Sequence, residues 1–403
     1  MRRRVLVAGA ALLGAGALVA VLVAVLGGGG SEQAPSPTTT APPTSAPPSP
    51  PAPPPSLPAP QGTEIGMNVN RLFNDRTYSP QRIDDLLTTL RATGVTLARS
   101  DVLWEVAEPE PPGQDGVHHY DWSFADGVAG ALARHGIQWL ALVDYATPWS
   151  ASVAGNTHSP PRDPADFAAF ARAFAERYGR GGAFWAEHPD LQATPVTTYE
   201  IWNEPDLSIF WAPGPDPARY MDLYVDARVA IKDADPQARV IIGGLSNAPG
   251  FIPQLFAARP DVRGQLDGVA VHPYARTALG VLDVVRKSRR ALDAAGVPDT
   301  PIYVTELGWV THPRTSLKYA PPGRRARDIH DSVASLARVD CGVAAVALYT
   351  WVTPEKDPAD EEDWFGVLHP DGRPSAAGRA FDSAVRTAQS ADGEPRIRLC
   401  GSA

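Results

Sequence analysis

From residue 62 onward, apolar positions follow two alternating rhythms. Short, near-continuous apolar runs are followed by stretches with apolar residues three or four apart. The first rhythm predicts strands and the second amphipathic helices. Strands are expected at Ile65–Asn70, Val95–Ser100, Ile137–Tyr145, Val196–Asn203, Arg239–Gly243, Leu266–His272, Ile302–Glu306 and Val343–Trp351. Ser79-Pro80, Asp163-Pro164 and Asp216-Pro217 read as helix starts, a capping side chain followed by a proline at the first helical position. Further helices are expected at Phe124–Arg134, Val281–Ala294, Arg325–Arg338 and Ala376–Thr387. Runs such as Trp139-Leu140-Ala141-Leu142-Val143 suit strands covered on both faces, as in parallel sheets. Eight strand–helix units in succession predict an α/β fold, a (β/α)₈ TIM barrel. A doubly wound sheet would normally bring a Gly-rich phosphate loop after its first strand, and Gly66-Met67-Asn68 is not one.

The first sixty residues follow another pattern. Met1-Arg2-Arg3-Arg4 precedes Val5–Leu26, a run without a charge and long enough to span about 30 Å of hydrocarbon as a helix. Gly27–Gly30 follows with no clear small-residue cleavage site and no lipid-accepting cysteine. Residues 1–30 are expected to be a signal anchor in contact with the membrane, with a cleaved signal peptide as the alternative. In both cases the arginines stay inside and the rest is exported, to the cell surface or beyond. Residues 31–61, nearly all Pro, Ser, Thr and Ala, cannot bury a core and are expected to be a disordered linker. The barrel is expected over 62–390, with a tail at 391–403.

A net charge of −9 over 403 residues argues against nucleic acid as a partner. His272, His312 and His330 lack metal-ligand spacing, and there is no Cys-x-x-Cys, so neither a metal nor a cofactor is expected. A monomer is expected. The two cysteines of an exported chain, Cys341 and Cys400, are expected to pair. Cys341 precedes the eighth strand, on the barrel's amino-terminal face, and the last helix returns the tail to that face.

In a barrel of this kind the site lies at the carboxyl ends of the strands. Polar and aromatic residues gather there: Asn68 and Asn70, Arg99 and Asp101, Asp144-Tyr145, Asn203-Glu204, His272 and Tyr274, Glu306 and Trp309, and Trp351. Two of these ends are glutamates, in Tyr199-Glu200-Ile201-Trp202-Asn203-Glu204-Pro205 and Val304-Thr305-Glu306-Leu307-Gly308-Trp309. One carboxylic acid that donates a proton and one carboxylate that attacks carbon can cleave a glycosidic bond. A single strand-end glutamate is more often a solvated or ion-paired loop residue. Arg99 also reads as a core ion-pair partner and His272 as a satisfied inner histidine. Trp149, Trp211 and Trp364 read equally well as loop anchors or sugar platforms. Glu200 reads as structural, and Glu108 and Glu110 as solvated.

Asn-Glu-Pro after the fourth strand, His-x-Tyr after the sixth, Thr-Glu-x-Gly-Trp after the seventh and Trp after the eighth resemble the clan A retaining glycoside hydrolases. The look is closest to family 39 and the cellulase-like family 5, and it covers about residues 62–387. Arg99-x-Asp101-x-x-Trp104 and Trp364-Phe365-Gly366-Val367-Leu368 belong to the same resemblance. It implies Glu204 as general acid/base with a raised pKa and Glu306 as the ionised nucleophile. Asn203 would donate to the sugar 2-hydroxyl, and Arg99 and Tyr274 would hold Glu306. His272 would line the subsite, and Trp351 would be a stacking floor, with Trp309 and Trp149 as further substrate contacts. The expected function is retaining hydrolysis of O-glycosidic bonds in a poly- or oligosaccharide. A transglycosylase with the same residues, or a silent glycan-binding barrel, is the alternative.

Overall fold

The computed structural model describes residues 57–58, 60, 62–390 and 396–401. The expected anchor at 1–30 and nearly all of the Pro-rich linker lie outside the described residues. Among the described residues no helix is long and apolar enough to cross a membrane.

Eight strands form a closed parallel barrel in chain order: β1 (Glu64–Asn68), β2 (Leu97–Leu103), β3 (Gln138–Asp144), β4 (Thr198–Asn203), β5 (Arg239–Leu245), β6 (Val269–Val271), β7 (Ile302–Val304) and β8 (Val343–Leu348). β8 closes the ring against β1 through pairs such as Gly66 with Ala347. The three capped starts form as their sequence predicts. Ser79 accepts from the Arg82 N–H, Asp163 from Ala165 and Asp216 from Arg219, each followed by proline. Besides the short helices Asn70–Asn74, Trp104–Ala107 and Ala183–Glu187, the helix Ala248–Ala258 has no counterpart in the sequence expectation. Pro249 and Pro253 hide it, because proline removes a helical donor and usually ends a helix. β6 and β7 are shorter than expected, and β2 is longer, carrying Asp101 within the strand.

The core has two parts. The larger lies between sheet and helices and includes Ile302 and Val304, Phe170 and Phe174. The smaller is the cluster Leu97, Leu140, Ile241, Ala270, Tyr303, Ala344 and Ala345. Side chains alternate along a strand, so residues two places on share a face. A step of two from Leu97, Leu140, Ala270 and Tyr303 therefore reaches Arg99, Leu142, His272 and Thr305. A further step reaches Asp101, Asp144 and Tyr274. The apolar plug and the polar site are consecutive layers on the same side of the same strands.

The opposite end is closed by buried charge and a disulfide. Asp267 is fully buried, meets Lys232 Nζ at 3.0 Å and accepts from the Leu57 N–H at 2.8 Å. Cys341 and Cys400 form the expected disulfide. The Asp340 carboxylate accepts from the N–H groups of Leu399, Cys400 and Gly401, so the described tail is tied to the start of β8.

Candidate active site

Arg99 is the hub of the site and is buried. Its Nε and Nη2 grip Glu200 at 2.7 and 3.0 Å, a bidentate pair. Its Nη1 donates to Glu306 Oε1 at 2.7 Å and to Asn68 Oδ1 at 3.0 Å, and its Nη2 to Asn203 Oδ1 at 3.1 Å. Burial disfavours the guanidinium charge, but Glu200 and Glu306 outweigh it and its pKa is raised. Glu200 is completed by Gly244 N–H at 2.8 Å and the Thr305 hydroxyl at 3.2 Å. It is structural, as the sequence suggests. The other oxygen of Glu306 accepts from the Tyr274 hydroxyl at 2.8 Å.

Glu204 sits where β4 leaves the sheet. Trp202 and Glu204 both take left-handed φ values, 67° and 45°, a costly conformation without glycine. Glu204 N–H donates to the Gly244 carbonyl at 2.9 Å, which pins the turn. Gly243-Gly244 is a requirement of this corner. A Cβ on Gly244 would overlap the His272 ring, and one on Gly243 would overlap the Trp202 carbonyl. Glu204 Oε1 meets His272 Nδ1 at 2.8 Å and accepts from the Ser246 hydroxyl. His272 Nε2 meets Thr305 Oγ1 at 3.1 Å. Oxygens of Glu204 and Glu306 and a ring nitrogen of His272 all lie within 4.8 Å of one another. Outside the disulfide, this is the group among the described residues with donors close enough to share a metal.

Burial alone would raise the Glu204 pKa, as the resemblance implies. The hydrogen bonds and charges of His272, Ser246 and Lys318 overcome it, and the net direction is downward. His272 moves the other way. Burial would lower it, yet the facing carboxylates Glu306 and Glu204 raise it. The acidity expected of an isolated carboxyl is therefore shared by a pair.

The two glutamates face a cavity of about 230 Å³, also lined by Arg99, Asn203 and Tyr274. These five expected residues are brought together. His272 is not at the surface of the cavity; it is 1 % exposed and supports Glu204 from below. The tryptophans stand elsewhere. Trp351 is buried and its Nε1 donates to the Leu86 carbonyl in the helix Pro80–Ala92. Trp309 is buried and donates to the Ala275 carbonyl. Trp149 packs edge-on against Trp104 and donates to the Glu108 carbonyl. None of the three lines the cavity, and each gives its indole N–H to a backbone carbonyl of the protein. The pocket aromatic after β8 is Tyr349, which donates to Glu362 at 2.8 Å. Glu108 is buried, not solvated, and joins Trp104 Nε1 to His118 Nδ1, each at 2.7 Å.

Sequence reasoning missed Ser246, Thr305, Lys318 and Glu362. Lys318 stands 4.8 Å above the Tyr274 ring and 2.8 Å from Glu361, in a loop whose shape the sequence does not encode by periodicity. Opposite it, Asp101 and Asp144 line the cavity from β2 and β3. Burial pushes Asp101 up to about 6, and burial with the Asp101 charge raises Asp144 further.

A scan against protein-family models found no match, and neither did a search of curated proteins. Solved structures do match. A family 39 glycoside hydrolase from Bacteroides cellulosilyticus aligns at TM-score 0.60 and 20% identity over 81% of this chain, which spans 63% of that protein's length. A GH39 β-xylosidase from Caulobacter crescentus aligns at 0.61 and 22%, over 82% of this chain and 72% of that one. GH5_18 from Streptomyces cattleya, in complex with GlcNAc, aligns at 0.61 and 19%, over 83% and 82%. At this identity the likeness shows the fold alone, a (β/α)₈ barrel.

Proposed function

We propose that this chain is a retaining O-glycoside hydrolase. The observation that carries the reading is the pairing of Glu204 and Glu306 across one pocket, with oxygens within 4.8 Å. That suits direct attack on the anomeric carbon, for which carboxyl separations are about 5–5.5 Å, better than the wider gap that admits a water. Glu306, held at both oxygens by Arg99 and Tyr274, attacks the anomeric carbon while Glu204 protonates the leaving oxygen. Water then attacks the glycosyl ester, giving its proton to Glu204, and Glu306 leaves. With Glu204 lowered and His272 raised, the proton rests on His272 Nδ1, 2.8 Å from Glu204 Oε1, and reaches the leaving oxygen through Glu204. Asn203 accepts from Arg99 through its carbonyl, so its amide, which also faces Tyr145, is the end that can donate to the sugar 2-hydroxyl. A cavity below the roughly 300 Å³ of ordinary ligand sites suits one terminal sugar. Solved neighbours titled as a β-xylosidase and an exo-β-1,4-mannosidase support a glycan substrate. The basic start and apolar run support export with membrane attachment through the N-terminus.

The test is stereochemical. Proton NMR of the first-formed product should show the retained anomer. Glu306→Ala should lower kcat by about 10⁴-fold or more, with azide restoring turnover as the inverted glycosyl azide. An inverted product from the wild type, or near-normal rates for Glu306→Ala, refutes the assignment.

A further inference from the structure

The pocket wall formed by the ends of β1, β2 and β3 holds acceptors without donors. Asp144 is 1 % exposed, and both of its carboxylate oxygens are buried without a hydrogen-bond partner. Asn70 Oδ1 and Asn74 Oδ1 are in the same condition. Asp101 has one donor, the Asn74 side-chain amide. Asp101 stands opposite Leu142 in the β2–β3 register, two residues before Asp144, so both aspartates leave the same face of the sheet. Both line the cavity that Glu204 and Glu306 line, as does Asn70.

Buried polar atoms are nearly always paired in a folded protein. Here the missing partners lie where substrate must enter. A hydroxyl brings one donor together with two lone pairs, whereas an ammonium brings three donors and no acceptor. Only the second complements a wall that already has acceptors in excess. Charge points the same way. Five carboxylates line the cavity (Asp101, Asp144, Glu204, Glu306 and Glu362) against Arg99 and Lys318. Arg99 is spent on Glu200 and Glu306, and Lys318 is paired with Glu361.

We propose that the Asp101–Asp144 wall receives a free amino group, so that the sugar bound beside the two glutamates is an unacetylated amino sugar. The inference rests on the glycosidase reading for the placement of the sugar. The raised pKa values of both aspartates agree with it, since two adjacent buried carboxylates hold protons until a cation relieves them. An N-acetyl group would remove the charge that draws those protons off. A uronic acid would add a carboxylate to the five carboxyl groups already there.

The test measures binding without turnover. The full chain is titrated with phenyl thioglycosides, which resist hydrolysis, of 2-amino and 6-amino sugars, their hydroxyl parents and their N-acetyl forms. At least one amino sugar should bind tenfold tighter than its parent and its N-acetyl form. Asp144→Asn and, separately, Asp101→Asn should erase that advantage, with melting curves confirming that each variant is folded. If either variant fails to fold, the other and the wild-type preference decide. Parents that bind as tightly as every amine overturn the proposal, as does an advantage that survives the substitutions. Calcium chloride is titrated alone; calcium binding lost in Asp144→Asn, with no amine preference, makes the wall a metal site and overturns it too. Hydrolysis of the matching O-glycosides is assayed separately. Amine binding with no hydrolysis breaks the glycosidase reading and leaves this one standing.

Discussion

The two walls of the pocket are built to different standards. On one, Arg99 meets Glu200, Glu306, Asn68 and Asn203, and Glu200 is completed by Gly244 and Thr305. On the other, Asp144 has no partner at either oxygen, and Asn70 and Asn74 leave theirs open. Both draw on β2, where Asp101 stands one step beyond Arg99 on the same face. The satisfied wall fixes the Glu306 carboxylate at both oxygens, as the proposed nucleophile requires before substrate arrives. The unsatisfied wall stores a cost that a ligand can relieve. Preorganisation and recognition thus occupy neighbouring parts of one cavity.

The largest way to break this contrast is Arg99→Met. It leaves Glu200 buried without its counter-charge and Glu306 without its anchor. Removing one partner of a buried pair costs about 3–5 kcal/mol, so thermal or urea unfolding should show a loss of that size together with loss of turnover. An unshifted melting curve would mean the hub is not a structural necessity.

The second tests the unsatisfied wall by pH. Asp101 has a folded pKa of about 6 against 3.8 for the free side chain. The folded state therefore binds its proton more tightly. The stabilisation is present below pH 3.8 and is lost as pH rises through 6. Asp101→Asn removes this loss. The variant should be the more stable protein above pH 6, by up to about 3 kcal/mol, and the gap should close near pH 4. Denaturant melts at several pH values measure it; a pH-independent difference contradicts the burial argument.

The smallest expected effect sharpens the comparison. Tyr274→Phe removes one of the two hydrogen bonds to Glu306 and leaves the Arg99 bond. A bond to a charged group is worth about 2 kcal/mol, so kcat/KM should fall about 30-fold with little change in melting temperature. A loss as large as that of Glu306→Ala would show that the tyrosine does more than position the carboxylate.

Much of this was legible before the fold was seen. Glu204, Glu306, Arg99, Asn203 and Tyr274 lie on or just beyond strands whose apolar runs are unmistakable, and a barrel presents such ends to one face. The Cys341–Cys400 pairing followed from the count of two, the expected export and the topology. What was not legible fell beyond the strand ends. Trp351 sits three residues past the end of β8 and Trp309 five past the end of β7, where the chain has turned off the strand path. The pocket aromatic is Tyr349 instead. Lys318 and Glu362 reach the site from long loops. The downward shift of Glu204 depends on His272, 68 positions away.

The alternation of apolar runs and amphipathic stretches determined the barrel, because burial on both faces of a strand requires it. It also placed Arg99, Asn203, Glu204, Tyr274 and Glu306 at the strand ends that line the cavity. Tertiary structure alone decided which of them are satisfied by the protein and which wait for a ligand. Hydrogen bonding and desolvation depend on distances of a few ångströms between strands that no local pattern records.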